Sequence, residues 1–350
     1  MFAAKVAHWQ RPAPISINPM NISIIGTGKI VQEALPVIAA TDGIFIRSIL
    51  AREHSLQRAE AMAETYGIPL VCTDYEAVLT DDVVEVVYIA LINSVHFSYA
   101  MRALQAGKHV ILEKPACLFA EEFQQLVEEA RARHLMLMEA VTLLHLPSFK
   151  ILREELLELL GTIRHVECNY SQRSSRYDAY LRGEVLPAFD PEAGGGALMD
   201  LNIYNLHFVL SLLGRPYRAT YLCCRGFNEV DLTGTAVLEY PESQGSSKSS
   251  VIALLTSSKT TDAPSFGLLQ GDCGWLRIDG PVSTLSSITL CLRGHQPRQI
   301  PLSPVSHRLA PEFAAFADLF HHQDYETMNQ LLDHSLAVMQ TVDELRKSER

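Results

Sequence analysis

The chain has 350 residues, a formal net charge of −11, 48% hydrophobic residues and 20% charged residues. This composition predicts a folded protein, and the length exceeds what one hydrophobic core usually serves, so we expect two domains. The acidic balance argues against nucleic acid as a partner, and the most apolar run, 83–92, is too short to span a membrane. Seven cysteines without a Cys-x-x-Cys pair are typical of reduced thiols in a cytoplasmic protein.

The first part of the chain alternates strand-like and helical runs. Residues 1–20 contain no signal-peptide pattern, so we interpret them as an N-terminal extension, either upstream of a natural start at Met20 or an ordered arm. From residue 21 to 140, the predicted strands are 21–25, 45–51, 83–90, 109–112 and 134–139, and the predicted helices are 29–40, 56–66, 96–106 and 121–133. This alternation predicts a parallel sheet covered by helices on both faces.

The pattern changes in residues 141–350. Helices are predicted at 147–160 and 196–213, with a loop-like stretch at 183–196 between them. The predicted strands are 164–170, 219–224, 234–240, 251–257, 274–278 and 288–292, with a hairpin loop at 243–250. No long helix separates the later strands, so they predict an α+β domain with an open, mostly antiparallel sheet. Final helices at 311–320 and 327–346 are candidates to pack back on the first domain.

A glycine-containing turn follows the first predicted strand. Gly26-Thr27-Gly28 lies between that strand and the helix that starts with Lys29 and Ile30. The first glycine permits a tight turn, and the second lets the backbone approach a pyrophosphate at the helix N-terminus. The third glycine of the usual motif is absent. In its strand–helix context the turn predicts a dinucleotide site in a Rossmann-type domain.

The choice of dinucleotide depends on the end of the second strand. An arginine there accommodates the 2′-phosphate of NADP, whereas a carboxylate binds the ribose hydroxyl of NAD. Arg52 comes first after the strand and predicts NADP through a charge-assisted phosphate contact. Glu53 follows directly, so NAD stays possible, and both charges are also compatible with a solvated loop.

The most specific segment is 107–115, Gly-Lys-His-Val-Ile-Leu-Glu-Lys-Pro. It places Lys114 at the carboxyl end of a parallel strand, where such sheets bind ligands. Together with 93–96, 138–140 and 194–200, it resembles the glucose–fructose oxidoreductase / inositol dehydrogenase / rhizopine catabolism (Gfo/Idh/MocA) family. The resemblance runs from residue 21 to the C-terminus. The segment 189–192 is similar to the dihydrodiol dehydrogenase and NADP-dependent xylose dehydrogenase branch.

The resemblance implies an oxidoreductase that acts on a sugar, polyol or cyclic diol with Lys114, Asp200 and Tyr204 as catalytic residues. Hydride transfer to nicotinamide requires a proton to leave the substrate hydroxyl. Tyr204 would exchange that proton, because a neighbouring Lys114 ammonium favours the phenolate, and Asp200 would orient the substrate or the lysine. Cofactor contacts implied by the family segments are Asn93, His96, Glu113 and Lys114.

Two departures from the branch leave the substrate and the activity open. Asn202 replaces a glycine and is expected to crowd the backbone near the substrate. Leu144 and His145 stand where an Arg-Phe pair is common, and His145 is either a polar substitute or a packed core residue. A catalytically silent dinucleotide-binding regulator on the same fold is therefore the alternative.

Further polar residues are compatible with two interpretations. Arg173, Arg176 and Tyr177 either line the substrate pocket or belong to a surface loop. No metal site is predicted, because the spacing of the remaining candidate ligands fits a solvated helical face; these are His321, His322, Asp324 and His334. The predicted antiparallel sheet leaves one face to cover, and family members pair such faces, so a homodimer or higher homo-oligomer is expected.

Overall fold

The computed structural model describes residues 18–241 and 250–348. Most of the predicted N-terminal extension and the predicted hairpin loop up to residue 249 lie outside these ranges. Six parallel strands form the first sheet: β1 (Met20–Ile25), β2 (Ile44–Leu50), β3 (Leu70–Cys72), β4 (Val86–Ile89), β5 (His109–Glu113) and β6 (Leu137–Ala140). The helices that connect them are α1 (Lys29–Ala39), α2 (Leu56–Tyr66), α3 (Tyr75–Leu79), α4 (His96–Gln105) and α5 (Ala120–Ala132).

The first sheet confirms the predicted parallel, helix-covered Rossmann architecture. Its strand order is β3-β2-β1-β4-β5-β6, so the order reverses between β1 and β4, where such sheets bind ligands. All four residues of β4 and five of the six of β1 are buried, and most of them are apolar, as a parallel sheet covered on both faces requires. Strand β3 and helix α3 were not predicted, because β3 has only three residues and none of them is fully buried.

Eight strands form the second sheet: β7 (Ile163–Ser171), β8 (Arg218–Arg225), β9 (Asp231–Tyr240), β10 (Val251–Ser258), β11 (Phe266–Gly271), β12 (Gly274–Asp279), β13 (Ile288–Leu292) and β14 (Arg298–Gln299). Their order is β14-β13-β12-β11-β7-β10-β9-β8, and every neighbouring pair is antiparallel except β7 with β10. The predicted mostly antiparallel sheet is therefore confirmed.

Strand β11 was missed because two glycines interrupt its pattern. A Cβ at Gly267 would lie 2.8 Å from a Val282 methyl group, and one at Gly271 would lie 2.2 Å from the Leu160 carbonyl oxygen. Each glycine therefore sits where another part of the chain approaches the strand closely. The strand is retained by close packing, which local sequence periodicity does not reveal.

Two predicted helices are divided by wider turns. The predicted helix 147–160 consists of α6 (Pro147–Ile151), a π-helical turn at Leu152–Leu156 and a 3₁₀ turn at Glu158–Leu160. The predicted helix 196–213 begins instead with a π-helical turn at Leu198–Asn202, followed by α8 (Ile203–Leu213). Such π turns occur frequently at functional sites. The short helix α7 (Tyr177–Leu181) precedes the predicted loop 183–196, and that loop contains a 3₁₀ turn at Pro187–Phe189.

The last helices connect the two sheets. Helix α9 (Ala310–His322) packs against α1 and β1, and α10 (Tyr325–Lys347) packs against α5, β6 and α8. Buried apolar residues of both sheets and of α10 consequently form one connected cluster. The predicted boundaries 1–20, 21–140 and 141–350 stay predictions. Within residues 18–241 and 250–348, no helix combines the length and apolar character needed to span a bilayer.

Candidate active site

A cleft of about 590 Å³ opens at the strand-order reversal, beside the carboxyl ends of β1, β4 and β5. The π-helical turn before α8 and the segment before α9 supply its opposite wall. The cleft brings together eleven of the predicted site residues: Gly26, Thr27, Gly28, Lys29, Ile30, Arg52, Asn93, Glu113, Lys114, Asp200 and Tyr204. His96 is the one predicted site residue that does not line it.

The turn between β1 and α1 has the geometry of a phosphate cradle. Gly26 has φ +122°, and a Cβ there would lie 2.6 Å from the Ala90 carbonyl oxygen, so a larger residue is strained on two counts. Gly28 precedes the first residue of α1, and apart from its chain neighbours no described atom lies within 4 Å of the position that its Cβ would occupy. Gly28, Lys29 and Ile30 line the cleft at the start of α1, and helix N-termini bind anions, so this arrangement fits a dinucleotide pyrophosphate.

Cationic residues line the cleft beyond this turn. Arg52 is exposed at the end of β2, and the neighbouring Arg58 lies with one guanidinium nitrogen 3.5 Å from the Thr27 carbonyl oxygen. His54 also lines this end of the cleft, whereas Glu53 does not. Glu53, the residue that would select NAD, therefore does not line the cleft, whereas Arg52, the residue that would select NADP, does.

Lys114 lies at the end of β5, where strand and turn fix its direction. Its Nζ donates to the Asp200 carbonyl oxygen at 3.3 Å, lies 3.6 Å from Asp200 Oδ1, and lies 4.3 Å from the centroid of the Tyr204 ring. Burial alone would lower the pKa of Lys114, but Tyr204 and Asp200 outweigh it and raise that pKa. Lys114 therefore remains an ammonium group at the substrate end of the cleft.

Asp200 accepts from a second lysine on its other side. Lys259 Nζ lies 2.8 Å from Asp200 Oδ2, and the Lys259 side chain is only 1% exposed. Burial opposes ionisation of Asp200, but Lys114 and Lys259 together lower its pKa to about 2. The predicted juxtaposition of Asp200 and Tyr204 is present: both side chains line the cleft, although the π-helical turn ends between them.

Besides Lys114, three cofactor contacts were predicted near β4 and β5; Asn93 and Glu113 line the cleft, whereas His96 does not. Asn93 lines the cleft and donates to the Gly194 carbonyl oxygen at 3.0 Å. Glu113 accepts from the Tyr88 hydroxyl at 2.6 Å, and burial raises its pKa. The His96 ring is fully buried and hydrogen-bonded to the carbonyl oxygens of Leu91 and Pro115, so it holds the backbone directly after Lys114.

Comparisons with known proteins identify this arrangement. Residues 20–141 match the family model described as "Oxidoreductase family, NAD-binding Rossmann fold", and residues 157–266 match the "GFO/IDH/MocA C-terminal domain". Human trans-1,2-dihydrobenzene-1,2-diol dehydrogenase is 30% identical over 251 residues, which cover 71% of this chain and 72% of the relative. The chain belongs to the Gfo/Idh/MocA oxidoreductase family.

Two further matches extend over nearly the whole chain. The scyllo-inositol 2-dehydrogenase (NADP(+)) IolU of Bacillus subtilis is 28% identical over 328 residues, covering 94% of this chain and 96% of the relative. The structure of KijD10, a 3-ketoreductase from Actinomadura kijaniata, in complex with NADP and TDP-benzene, superimposes with a TM-score of 0.80 at 25% identity. That match covers 95% of this chain and 98% of the other.

In this Gfo/Idh/MocA chain, Asn202, the first of the two departures from the branch pattern, does not line the cleft. Asn202 is fully buried, donates from Nδ2 to the Leu255 carbonyl oxygen at 2.9 Å, and accepts from Asn205 at the same distance. Asn202 was expected to crowd the backbone near the substrate, but its side chain does not line the cleft and instead binds strand β10 on the far side of the π-helical turn. Asn202 thereby fixes the turn that carries Asp200.

The second departure is also packed inward. His145 lies edge-on to Phe316 with ring centroids 5.2 Å apart, and burial lowers its pKa to about 4. His145 and Leu144 line a small separate cavity rather than the cleft. The structure thus favours the core interpretation of His145. Of the three loop residues with two interpretations, Arg176 lines the cleft, whereas Arg173 binds Asp178 and does not.

Sequence reasoning missed several residues of the site. Lys259, Arg58, Thr142 and Arg308 lie in or against the cleft, but each is a lone polar residue without a local motif. Arg308 donates two hydrogen bonds, of 2.7 and 2.8 Å, to the carboxylate of Glu33 on α1, and these bonds lower the pKa of Glu33. Arg308 therefore joins the segment before α9 to the helix that follows the phosphate turn.

Buried acidic and imidazole groups lie behind Lys114. Glu139 Oε1 accepts from the backbone N–H of Ala116, two residues after Lys114, at 2.8 Å. Its other carboxylate oxygen lies 3.8 Å from His207 Nε2, and burial raises the pKa of Glu139 to about 7. His207 contacts His334 at 3.1 Å, so His334 is not on the solvated face expected from its spacing.

Proposed function

We propose that this oxidoreductase prefers NADP and interconverts a hydroxyl and a carbonyl on a sugar, polyol or cyclic diol. The observation that carries the proposal is that Lys114, Asp200 and Tyr204 line the same cleft as the phosphate turn. Relatives named for scyllo-inositol, a dihydrobenzene diol and a 3-keto substrate support this substrate class.

Each catalytic residue has a defined task in the proposed reaction. A bound nicotinamide supplies the chemistry of accepting or donating a hydride. Tyr204 takes the proton of the substrate hydroxyl during oxidation and returns it during reduction. Lys114 remains charged, so it favours the Tyr204 phenolate and donates a hydrogen bond to the substrate oxygen. Asp200 accepts from both lysines and orients Lys114.

The cofactor preference rests on the exposed end of the cleft. Arg52 and Arg58 line it and present two guanidinium groups to a 2′-phosphate, whereas Glu53 lies outside the lining. Planar guanidinium groups bind phosphate oxygens through paired, charge-assisted hydrogen bonds. The names of IolU and of the KijD10 complex, both of which include NADP, support the same preference.

A catalytically silent regulator on this fold is disfavoured by the charge pattern. Burying the Lys259 ammonium beside the Asp200 carboxylate costs desolvation free energy. Lys114, 3.6 Å from the same carboxylate, adds a second positive charge nearby and raises that cost. A regulator needs only the dinucleotide site and no such arrangement.

A substrate screen tests the proposed function. The protein is incubated with NADP or NAD and a panel of inositols, aldoses, their keto forms and cyclic diols, and nicotinamide absorbance is followed. We expect turnover with at least one polyhydroxylated substrate and a higher kcat/KM with NADP. Tight NADP binding without turnover across the panel in either direction would instead support the regulator.

The second sheet supports a proposed homodimer. One face packs on the helices, and the opposite face of β8, β9 and β10 carries exposed apolar side chains among polar ones, with Leu222 51% and Ile252 46% accessible. Pairing with a second copy of the chain would cover these side chains. Light scattering at micromolar concentration should give twice the 38.9 kDa chain mass, and a monomeric mass would contradict the proposal.

A further inference from the structure

Lys259 occupies an unusual place for a lysine. It follows β10 directly, and its backbone N–H donates to the Leu232 carbonyl oxygen at 2.9 Å, which fixes the residue at the sheet end. The side chain runs inward and is 1% exposed. Its Nζ donates to the Ala188 carbonyl oxygen at 2.6 Å and lies 4.9 Å from the Phe189 ring centroid. An ammonium buried this deeply requires a specific anionic partner.

That partner is a catalytic carboxylate which Lys114 also approaches. Asp200 Oδ2 lies 2.8 Å from Lys259, whereas Oδ1 lies 3.6 Å from Lys114. Lys259 therefore has the shorter contact, and Lys114 has the looser one. One carboxylate cannot neutralise two ammonium groups, so the three groups together carry one positive charge.

We propose that Lys259 is a positioning residue, which engages Asp200 so that the charge of Lys114 remains available to Tyr204 and to the substrate oxygen. The inference rests on the proposed roles of Lys114 and Tyr204. Without Lys259, the Asp200 carboxylate pairs fully with Lys114, and the local positive charge falls by one unit. Proton loss from the Tyr204 hydroxyl then becomes less favourable.

The other charged and titratable groups around Tyr204 and Asp200 stay in place when Lys259 is changed. Tyr204 interacts with Tyr170, whose ring centroid is 5.8 Å away, and with Arg308, and Asp200 interacts with Arg176. Arg308 is already bound to Glu33, and Arg176 is exposed, so neither replaces a buried ammonium beside Asp200. A change at Lys259 therefore reports on that charge.

Three substitutions separate charge from packing. Lys259→Gln keeps hydrogen-bond donors but removes the charge, Lys259→Met removes both, and Lys259→Arg keeps both. Lys108→Met is the matched control, because Lys108 is 8% exposed and its Nζ donates to the carbonyl oxygens of Asp81 and Val84, both at 2.9 Å. Lys108 lies outside the cleft, so its loss tests only the cost of removing a buried lysine.

The first readout is the pH profile of hydroxyl oxidation. We expect Lys259→Gln and Lys259→Met to move the midpoint of the rising limb upward by about one pH unit and to lower kcat at neutral pH about 10-fold. KM for NADP should not change, Lys259→Arg should restore the midpoint, and Lys108→Met should leave it in place. A wild-type midpoint in Lys259→Gln would overturn the inference, whether or not Lys259→Met folds.

The second readout needs no substrate. The ultraviolet titration of tyrosinate, taken as the difference between each protein and its Tyr204→Phe counterpart, reports ionisation of Tyr204 and any accompanying change at its ring neighbour Tyr170. The same upward displacement is expected in Lys259→Gln, and an unchanged midpoint would overturn the inference even if no substrate were found. If Tyr204→Phe retained full turnover while Lys259→Gln displaced the tyrosinate midpoint, the proposed function of Tyr204 would fail and the electrostatic role of Lys259 would stand.

Discussion

The two ends of the cleft are built on opposite principles. At the phosphate end, the space beside Gly28 is open, and Arg52 is exposed. At the catalytic end, Lys259 is buried, Lys114 is mostly buried, and the two lysines share one carboxylate. A binding site for a strongly charged ligand can leave its contacts to solvent until the ligand arrives. A proton-transfer site must hold its charges in fixed positions beforehand.

The largest expected effect lies at the catalytic end. Tyr204→Phe removes the exchangeable proton but retains the ring, and should lower turnover about 10²–10⁴-fold, the usual contribution of general acid–base catalysis. Lys114→Met should give a comparable loss. The double variant should be little worse than either single one, because both residues serve one proton transfer.

Steady-state kinetics on the four proteins, with thermal unfolding as the control, checks this prediction. Stability and NADP affinity should barely change in Tyr204→Phe. Undiminished turnover in a folded Tyr204→Phe protein would assign the proton transfer to another group, and unfolding of this variant would indicate a structural role for the tyrosine.

A smaller effect is expected at the phosphate end. Arg52→Ala should weaken NADP binding about 10- to 100-fold and leave NAD binding nearly unchanged, because only NADP offers a 2′-phosphate to the guanidinium. Glu53→Gln is the matched control, since Glu53 directly follows Arg52 in the chain but lies outside the cleft lining. Calorimetric titration with both cofactors distinguishes the outcomes: a selective loss of NAD binding in Glu53→Gln would reverse the assignment.

The smallest effect concerns the stability of the turn behind Lys114. Burial raises the pKa of Glu139 from its ordinary value of 4.5 to about 7. Its neutral form is therefore favoured in the folded protein, and the stability it contributes below pH 4.5 is lost as the pH rises to about 7. Glu139→Gln keeps an acceptor for the Ala116 N–H but cannot ionise.

Denaturant unfolding at pH 5 and pH 8 measures this difference. The stability of Glu139→Gln relative to the unmodified protein should increase by about 1–3 kcal/mol between the two pH values. Glu64→Gln, at an exposed position of α2, should show no such change. Parallel pH dependence of Glu139→Gln and the unmodified protein would show that Glu139 is ionised throughout this range.

The two ends also differ in what the sequence can predict. The phosphate turn and Lys114 were found because each follows a strand directly and belongs to a short contiguous motif. Asp200 and Tyr204 were found in the same way, from the glycine-rich segment before them. Their predicted spacing was sufficient even though the intervening backbone is a π-helical turn, because both side chains still reach the cleft.

Residues that act through long-range contacts were not predictable. Lys259 is 59 positions from Asp200, and a lysine after a strand is ordinarily a solvated charge. His96 was predicted to contact the cofactor, since a family segment contains it, but its ring binds the Pro115 carbonyl oxygen and does not line the cleft. Local pattern indicates which backbone position a residue occupies, whereas the direction of its side chain depends on which distant segment packs there.

The bond between Arg308 and Glu33 has a consequence for how the protein is made. Synthesis proceeds from the N-terminus, so strands β1–β6 and the phosphate turn leave the ribosome long before residue 308. During that interval α1 lacks the guanidinium that binds it, and the sheet lacks the helices that cover β1 and β6. The nascent chain therefore holds the phosphate turn without the opposite wall of the cleft, which is complete only when nearly nine-tenths of the chain has been translated.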